Sequence, residues 1–252
     1  MATLRALLWD VDGTLAETER DGHRPAFNRA FAEAGLPLHW DPRGYGRWLA
    51  ISGGRERIAA QLHELEGQAP QPQRVEALQA AKQGHYRNLM QQGCLQLRPG
   101  VVDLLREAHQ AGLCQVIVTT SSRAAISALM DHLLGPLEPV FRFWVCGDDV
   151  GRKKPHPEAY VQALQRLLAD GLVADPAELL VIEDSDNGLR AARAAGLSCV
   201  VTCSHYSSLG SLADPDRAAA VVSQLGPPSR VLHGPACQDG QITLSYLQSL
   251  VR

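Results

Sequence analysis

Five short apolar runs, at residues 5–9, 114–118, 143–146, 179–182 and 199–201, constrain this chain more than any other feature. Helix-like segments at 101–111, 124–134, 158–168 and 189–195 fall between successive runs. A strand that reads as an unbroken apolar run is buried on both faces, and strands alternating with helices of this length form βαβ units. The expected fold class is α/β, with a parallel sheet covered by helices on both sides.

Residues 17–92 break that rhythm. No strand signal stands out there, whereas Ala26, Phe27, Ala30, Phe31 and Ala34 share one helical face and Pro25 suits a first turn. Val75, Leu78, Lys82, Tyr86 and Leu89 repeat with a 3.6-residue period. The expected organisation is a core built from 1–16 and 93–252, with an α-helical module over 17–92 inserted after the first strand. Gly93 and Arg98-Pro99-Gly100 mark the return to the core. The segment that follows Gly226-Pro227-Pro228-Ser229 shows no readable role.

Composition narrows the partners. A net charge of −3 leaves no basic footprint for nucleic acid. No apolar run approaches the roughly 20 residues that a membrane helix needs. The first strand begins too early to leave room for a signal peptide. The six cysteines form no Cys-x-x-Cys pair and have no histidine at zinc spacing, so reduced structural thiols are expected. The expectation is a cytoplasmic monomer acting on a small molecule.

In open parallel sheets, ligands bind beyond the carboxyl ends of the strands. Here the first run ends in Asp10-Val11-Asp12-Gly13-Thr14, the second in Thr119-Thr120-Ser121-Ser122 and the fourth in Glu183-Asp184. Four carboxylates, Asp10, Asp12, Glu183 and Asp184, should therefore converge, and such a group needs a cation. Oxygen ligands of this kind suit Mg²⁺. A carboxylate such as Asp10 can attack phosphorus, and a second one nearby, Asp12, can protonate the leaving oxygen. Thr120, Ser121 and Ser122 stand before a helix, where hydroxyls and free amides suit a phosphate; ordinary helix capping competes with that reading. Lys154, in Arg152-Lys153-Lys154-Pro155, can neutralise charge on a transferring phosphoryl group, although an isolated Lys-Lys is usually a solvated turn.

Together, these four segments in this order resemble the haloacid dehalogenase superfamily. The resemblance implies a Rossmann-like parallel-sheet core, Asp10 as nucleophile, Asp12 as general acid/base, Thr120 and Lys154 as phosphate partners, and a Mg²⁺ site that includes Asp184 and Glu183. The helical insert is similar to the cap of the beta-phosphoglucomutase-like branch. Within it, Glu17-Thr18-Glu19-Arg20-Asp21-Gly22-His23-Arg24, Trp40-Asp41, Tyr45 and Ser52-Gly53-Gly54-Arg55-Glu56-Arg57 resemble CbbY proteins, particularly those of plants.

CbbY proteins hydrolyse xylulose 1,5-bisphosphate, an inhibitor of the carbon-fixing enzyme Rubisco, to xylulose 5-phosphate. The resemblance implies substrate contacts from Glu17, His23, Tyr45, Gly53, Gly54 and Arg55, with Arg55 where those relatives carry lysine. Read without the family, Gly53-Gly54-Arg55 is either an anion clamp or a flexible turn. Lys82, on an apolar stripe, either snorkels or faces the cleft. The implied function is a Mg²⁺-dependent sugar-phosphate phosphatase. A sugar-phosphate mutase of the same fold, or a phosphatase for another small ester such as phosphoglycolate, is the alternative. A receiver-type signalling domain also pairs acids with Thr and Lys, but carries its Asp on a middle strand and has no helical insert.

Overall fold

The computed structural model describes residues 3–237 and 240–251. Strand β1 (Ala6–Trp9) starts the sheet. Four helices follow: α1 (Arg24–Glu33), α2 (Pro42–Trp48), α3 (Gly54–Glu66) and α4 (Pro72–Gln91). The alternating portion then runs α5 (Val101–Gln110), β2 (Cys114–Val118), α6 (Arg123–Leu129), β3 (Phe141–Val145), α7 (Glu158–Ala169), β4 (Leu179–Glu183), α8 (Asp186–Ala194) and β5 (Ser198–Thr202). Strands β6 (Ala220–Val222) and β7 (Val231–His233) and helix α9 (Leu244–Ser249) complete it.

The seven strands lie in the order β3-β2-β1-β4-β5-β6-β7, all parallel except β7. The expected parallel sheet is present, and it is wider than the apolar runs indicated. Side chains alternate across it. Leu7 and Trp9 enter one buried cluster with α5, α6 and α9 residues, while Ala6 and Leu8 enter the opposite cluster with α7 and α8. A polar residue inside this layer is fully used: Gln115 accepts from Trp9 Nε1 at 3.1 Å and donates to the Leu105 carbonyl at 2.9 Å.

Register decides where chemistry can occur. Trp9 pairs level with Ile117 on β2 and Ile182 on β4. The next residues along these three strands are Asp10, Val118 and Glu183, so the acid-bearing ends meet at the sheet's centre. Helices α1–α4 have their own aromatic cluster, built on Phe27, Phe31, Trp40, Tyr45, Trp48, Ile58 and Leu62. The segment past Gly226 docks onto the core. Leu244 N donates to the Glu107 carboxylate at 3.0 Å, and Leu247 is fully buried.

Candidate active site

At the end of β1 the backbone turns at Gly13, whose φ is +89°. A Cβ there would fall 2.2 Å from Asp184 Oδ2, so glycine is needed for both the turn and the neighbour. Asp10 is 7% exposed and accepts from Lys154 Nζ at 2.8 Å and Thr14 Oγ1 at 3.2 Å. Lys154 also donates to Glu183 Oε1 at 2.6 Å and to the Val118 carbonyl at 2.7 Å. Burial pushes the Asp10 carboxyl well above its ordinary range, with the Glu183 charge adding to it and Lys154 opposing. Asp184 is pushed up to about 8, by burial first and then by Glu183. For Lys154, burial works against the charge, but Asp10 and Glu183 outweigh it and hold the ammonium protonated.

Three of the four expected carboxylates come together: Asp10, Glu183 and Asp184 offer oxygens within 4.8 Å of one another. The Asp12 side chain lies outside that group. It accepts from Ser121 Oγ at 2.5 Å, His23 Nε2 at 2.9 Å and Thr18 Oγ1. Burial raises its pKa, but His23 and the two hydroxyls hold it well below the usual carboxylate range. Glu183 is also committed elsewhere. Its Oε1 accepts from Lys154 and, at 2.6 Å, from Tyr160, while Oε2 faces Ser185 Oγ and the Asp184 amide. Asp10 and Asp184 remain as the acids whose charge is least compensated, and their donor chemistry fits a hard divalent cation.

A second buried chain begins at Asp12. Lys82 is 3% exposed and lies 2.9 Å from His23 Nδ1, above the rings of Phe27 and Tyr86. An ammonium has only donors, so Nδ1 accepts and Nε2 carries the proton donated to Asp12. The choice between snorkelling and facing the cleft resolves towards the cleft. Burial lowers the Lys82 pKa to about 8.

Two chambers share this centre. One, of about 60 Å³, is lined by Asp10, Asp12, Lys154 and Asp184; the other, of about 30 Å³, by His23, Gly54, Arg55, Gln79 and Lys82. Glu19, Arg57 and Thr120 line both. Glu19 and Arg57 are the residues that motif reading missed. Arg57 is 7% exposed, and its Nη1 donates to Glu19 Oε1 at 3.1 Å and to the Tyr45 hydroxyl at 2.8 Å. Burial opposes the Arg57 charge, but Glu19 more than restores it.

The other residues expected to touch substrate sit in different surroundings. Glu17 turns away from both chambers towards Arg98, 3.9 Å distant, in a separate groove with Cys94 and Cys203. Tyr45 is fully buried and meets Glu19 through its hydroxyl, so it braces a lining residue. Arg55 is 44% exposed and already paired, with Glu76 at 2.7 Å and Asp148 at 3.6 Å. Gly53 caps α3 at φ +97°, and Gly54 and Arg55 form the first turn of that helix. Ser121 holds Asp12, while Ser122 caps α6 and accepts from Gln83 Nε2 at 2.9 Å. The six cysteines are all free.

Buried acids at the carboxyl edge of a parallel sheet, with one lysine threaded between them, define a phosphoryl- or acyl-handling hydrolase centre. The chain matches the haloacid dehalogenase-like hydrolase family over residues 4–196 and belongs to it. It is CbbY-like, and it is a phosphatase. Protein CbbY of Cereibacter sphaeroides is 40% identical over 224 residues, covering 88% of this chain and 94% of that one. A CBBY-like protein of Arabidopsis thaliana is 38% identical, covering 88% and 70%. A crystal structure of a CbbY mutant from Rhodobacter sphaeroides in complex with xylulose-(1,5)bisphosphate superposes with a TM-score of 0.77 at 39% identity, covering 88% of this chain and 94% of that one. Among the described residues, no helix is long and apolar enough to cross a membrane.

Proposed function

We propose that this phosphatase hydrolyses a ketopentose 1,5-bisphosphate, xylulose 1,5-bisphosphate being the best-supported substrate, to the 5-phosphate and inorganic phosphate. The observation that carries this reading is the pair of joined chambers. One holds Asp10, Lys154 and Asp184; the other gathers the cationic side chains of Lys82 and Arg55, and Arg57 lines both. Residues 17–92 act as the cap over a core formed by 1–16 and 93–252. The relative that binds xylulose-(1,5)bisphosphate supports the same substrate.

Asp10 is the nucleophile: its carboxylate attacks phosphorus, the bond to the sugar oxygen breaks, and an aspartyl-phosphate forms. The departing oxygen takes a proton through Asp12, which draws it from His23 Nε2 while Lys82 replaces it at Nδ1, and Asp12 then takes one from the water that cleaves the acyl-phosphate. The His23 and Lys82 chain keeps Asp12 oriented, and Thr18 and Ser121 hold its other positions. Thr120 and Lys154 receive the phosphoryl oxygens. Mg²⁺, held by Asp10 and Asp184, supplies charge neutralisation when bound.

The test is phosphate release with Mg²⁺ from xylulose 1,5-bisphosphate, xylulose 5-phosphate, phosphoglycolate and beta-glucose 1-phosphate. The expected order places the bisphosphate first by at least about tenfold in kcat/KM, the size of one charge-assisted contact. A preference for phosphoglycolate removes the sugar assignment. Isomerisation of glucose phosphate without phosphate release identifies a mutase.

A further inference from the structure

Gln79 projects from α4 into the chamber lined by Lys82 and Arg55. It is 7% exposed, and its Oε1 finds no hydrogen-bond partner within the described residues. Buried polar atoms are nearly always paired, so an orphan on a cavity wall points to a ligand group. The position is built. A Cβ on Gly54 would fall 2.7 Å from Gln79 Oε1, and the absence of that carbon lets the amide approach the start of α3 closely. Gln83, one turn further along the same helix, is anchored by its Nε2 on Ser122 and also leaves a buried Oε1 unpartnered.

An amide oxygen accepts hydrogen bonds. It repels phosphate and carboxylate oxygens, which are acceptors too, and it suits the donor of a hydroxyl group. The cations of this chamber answer the anionic part of a substrate, and the amide oxygens answer something else. We infer that Gln79, supported by Gln83, reads a hydroxyl on the carbon chain of the substrate and makes the site selective for polyol phosphates over esters that lack hydroxyls. This rests on the reading above that the site takes a phosphorylated sugar. It goes further by naming the group that discriminates. A site that buries an acceptor against a substrate hydroxyl rejects the analogue without it, because the acceptor is then left dry and unpaired.

The experiment compares two matched pairs on wild type and Gln79→Leu: xylulose 1,5-bisphosphate with pentane-1,5-diol bisphosphate, and arabitol 5-phosphate with pentyl phosphate. Wild type should favour the hydroxylated member of each pair by about ten- to a hundredfold in kcat/KM. In Gln79→Leu that ratio should fall at least about fivefold. The thermal midpoint of the variant should stay level or rise, since no contact within the chain is lost and an orphan polar atom is removed. An unchanged ratio, or an equal loss on both members with a lowered midpoint, overturns the inference. So does a wild type that turns over no hydroxylated ester. If only the monophosphate pair reacts, the bisphosphate reading fails, and the ratio still decides the role of Gln79.

Discussion

Lys82 carries a charge in a place that resists it, and the consequence can be measured. Its folded pKa of about 8 lies below the ordinary lysine value because burial penalises the ammonium, with Glu19 and Asp12 only partly restoring it. Between pH 8 and roughly 10.4 the unfolded chain therefore binds more protons at this site than the folded one, and stability gains with rising pH. Below pH 8 both states hold the proton and the full penalty stands. Urea midpoints of wild type and Lys82→Met, taken from pH 7 to 10, should show wild type improving against the variant above pH 8. A flat difference means the site is wetter than its burial indicates. Asp10 calls for a blunter test. Asp10→Asn removes the nucleophile while keeping the shape and a partner for Lys154. Phosphate release should fall by at least about a thousandfold, with the far-ultraviolet circular dichroism unchanged. Excess EDTA should likewise stop wild type and Mg²⁺ should restore it, because Lys154, already shared between Asp10 and Glu183, cannot alone balance Asp10, Asp184 and a substrate phosphate.

At the scale of elements, α8 shows how a helix serves the site by leaving something out. Gly188 stands in its first turns, where alanine normally favours a helix by about 1 kcal/mol. Here a Cβ would fall 1.9 Å from Glu183 Cδ, and that carboxylate cannot swing away because Lys154, Tyr160 and Ser185 hold it. Gly188→Ala should therefore destabilise, by about 1–3 kcal/mol as overpacked cores do. It should also lower turnover by displacing Lys154; a raised thermal midpoint would contradict this. The strands that form this edge were legible because buried parallel strands are apolar on both faces, so β1, β2, β4 and β5 stood out as runs. Strands β6 and β7 were not, since three residues at a sheet margin are too few to make a pattern. Helix α3 was hidden by Gly53-Gly54, which reads as a turn until the cap geometry is seen. Asp10 and Asp184 were legible from their strand ends, whereas Lys154 was legible only through the resemblance, because an isolated Lys-Lys otherwise reads as a solvated turn. Glu19 was not separable from Glu17: the two acids are two positions apart, and only the π-helical turn at Glu19–His23 and the buried Arg57 decide which one faces the cavity.

For the whole molecule, both chambers lie between the residues of 17–92 and the sheet edge, with walls from each side. A substrate seated there enters and leaves across the contacts that span this gap. Tyr86, Leu89 and Met90 anchor α4 in the apolar cluster of the core, while the contacts beside the chambers are polar. Lys153 meets Glu56 at 2.7 Å with the glutamate 44% exposed, and Arg55 meets Asp148 at 3.6 Å. Gln83 meets Ser122, and Asn187 donates to the Ala50 carbonyl at 3.0 Å. Exposed pairs of this kind contribute about 0–1 kcal/mol each, so several together can bias closure without locking it. Glu56→Gln should accordingly raise KM for the bisphosphate by no more than about fivefold, the equivalent of one such pair. The difference from wild type should fade at 1 M salt, where screening weakens the Lys153 contact in both proteins. kcat should hold or rise, since easier opening speeds product release wherever release is limiting. Steady-state kinetics at low and high salt reads all three. A hundredfold rise in KM that survives high salt would mean that Glu56 organises the substrate itself, and that closure is governed elsewhere.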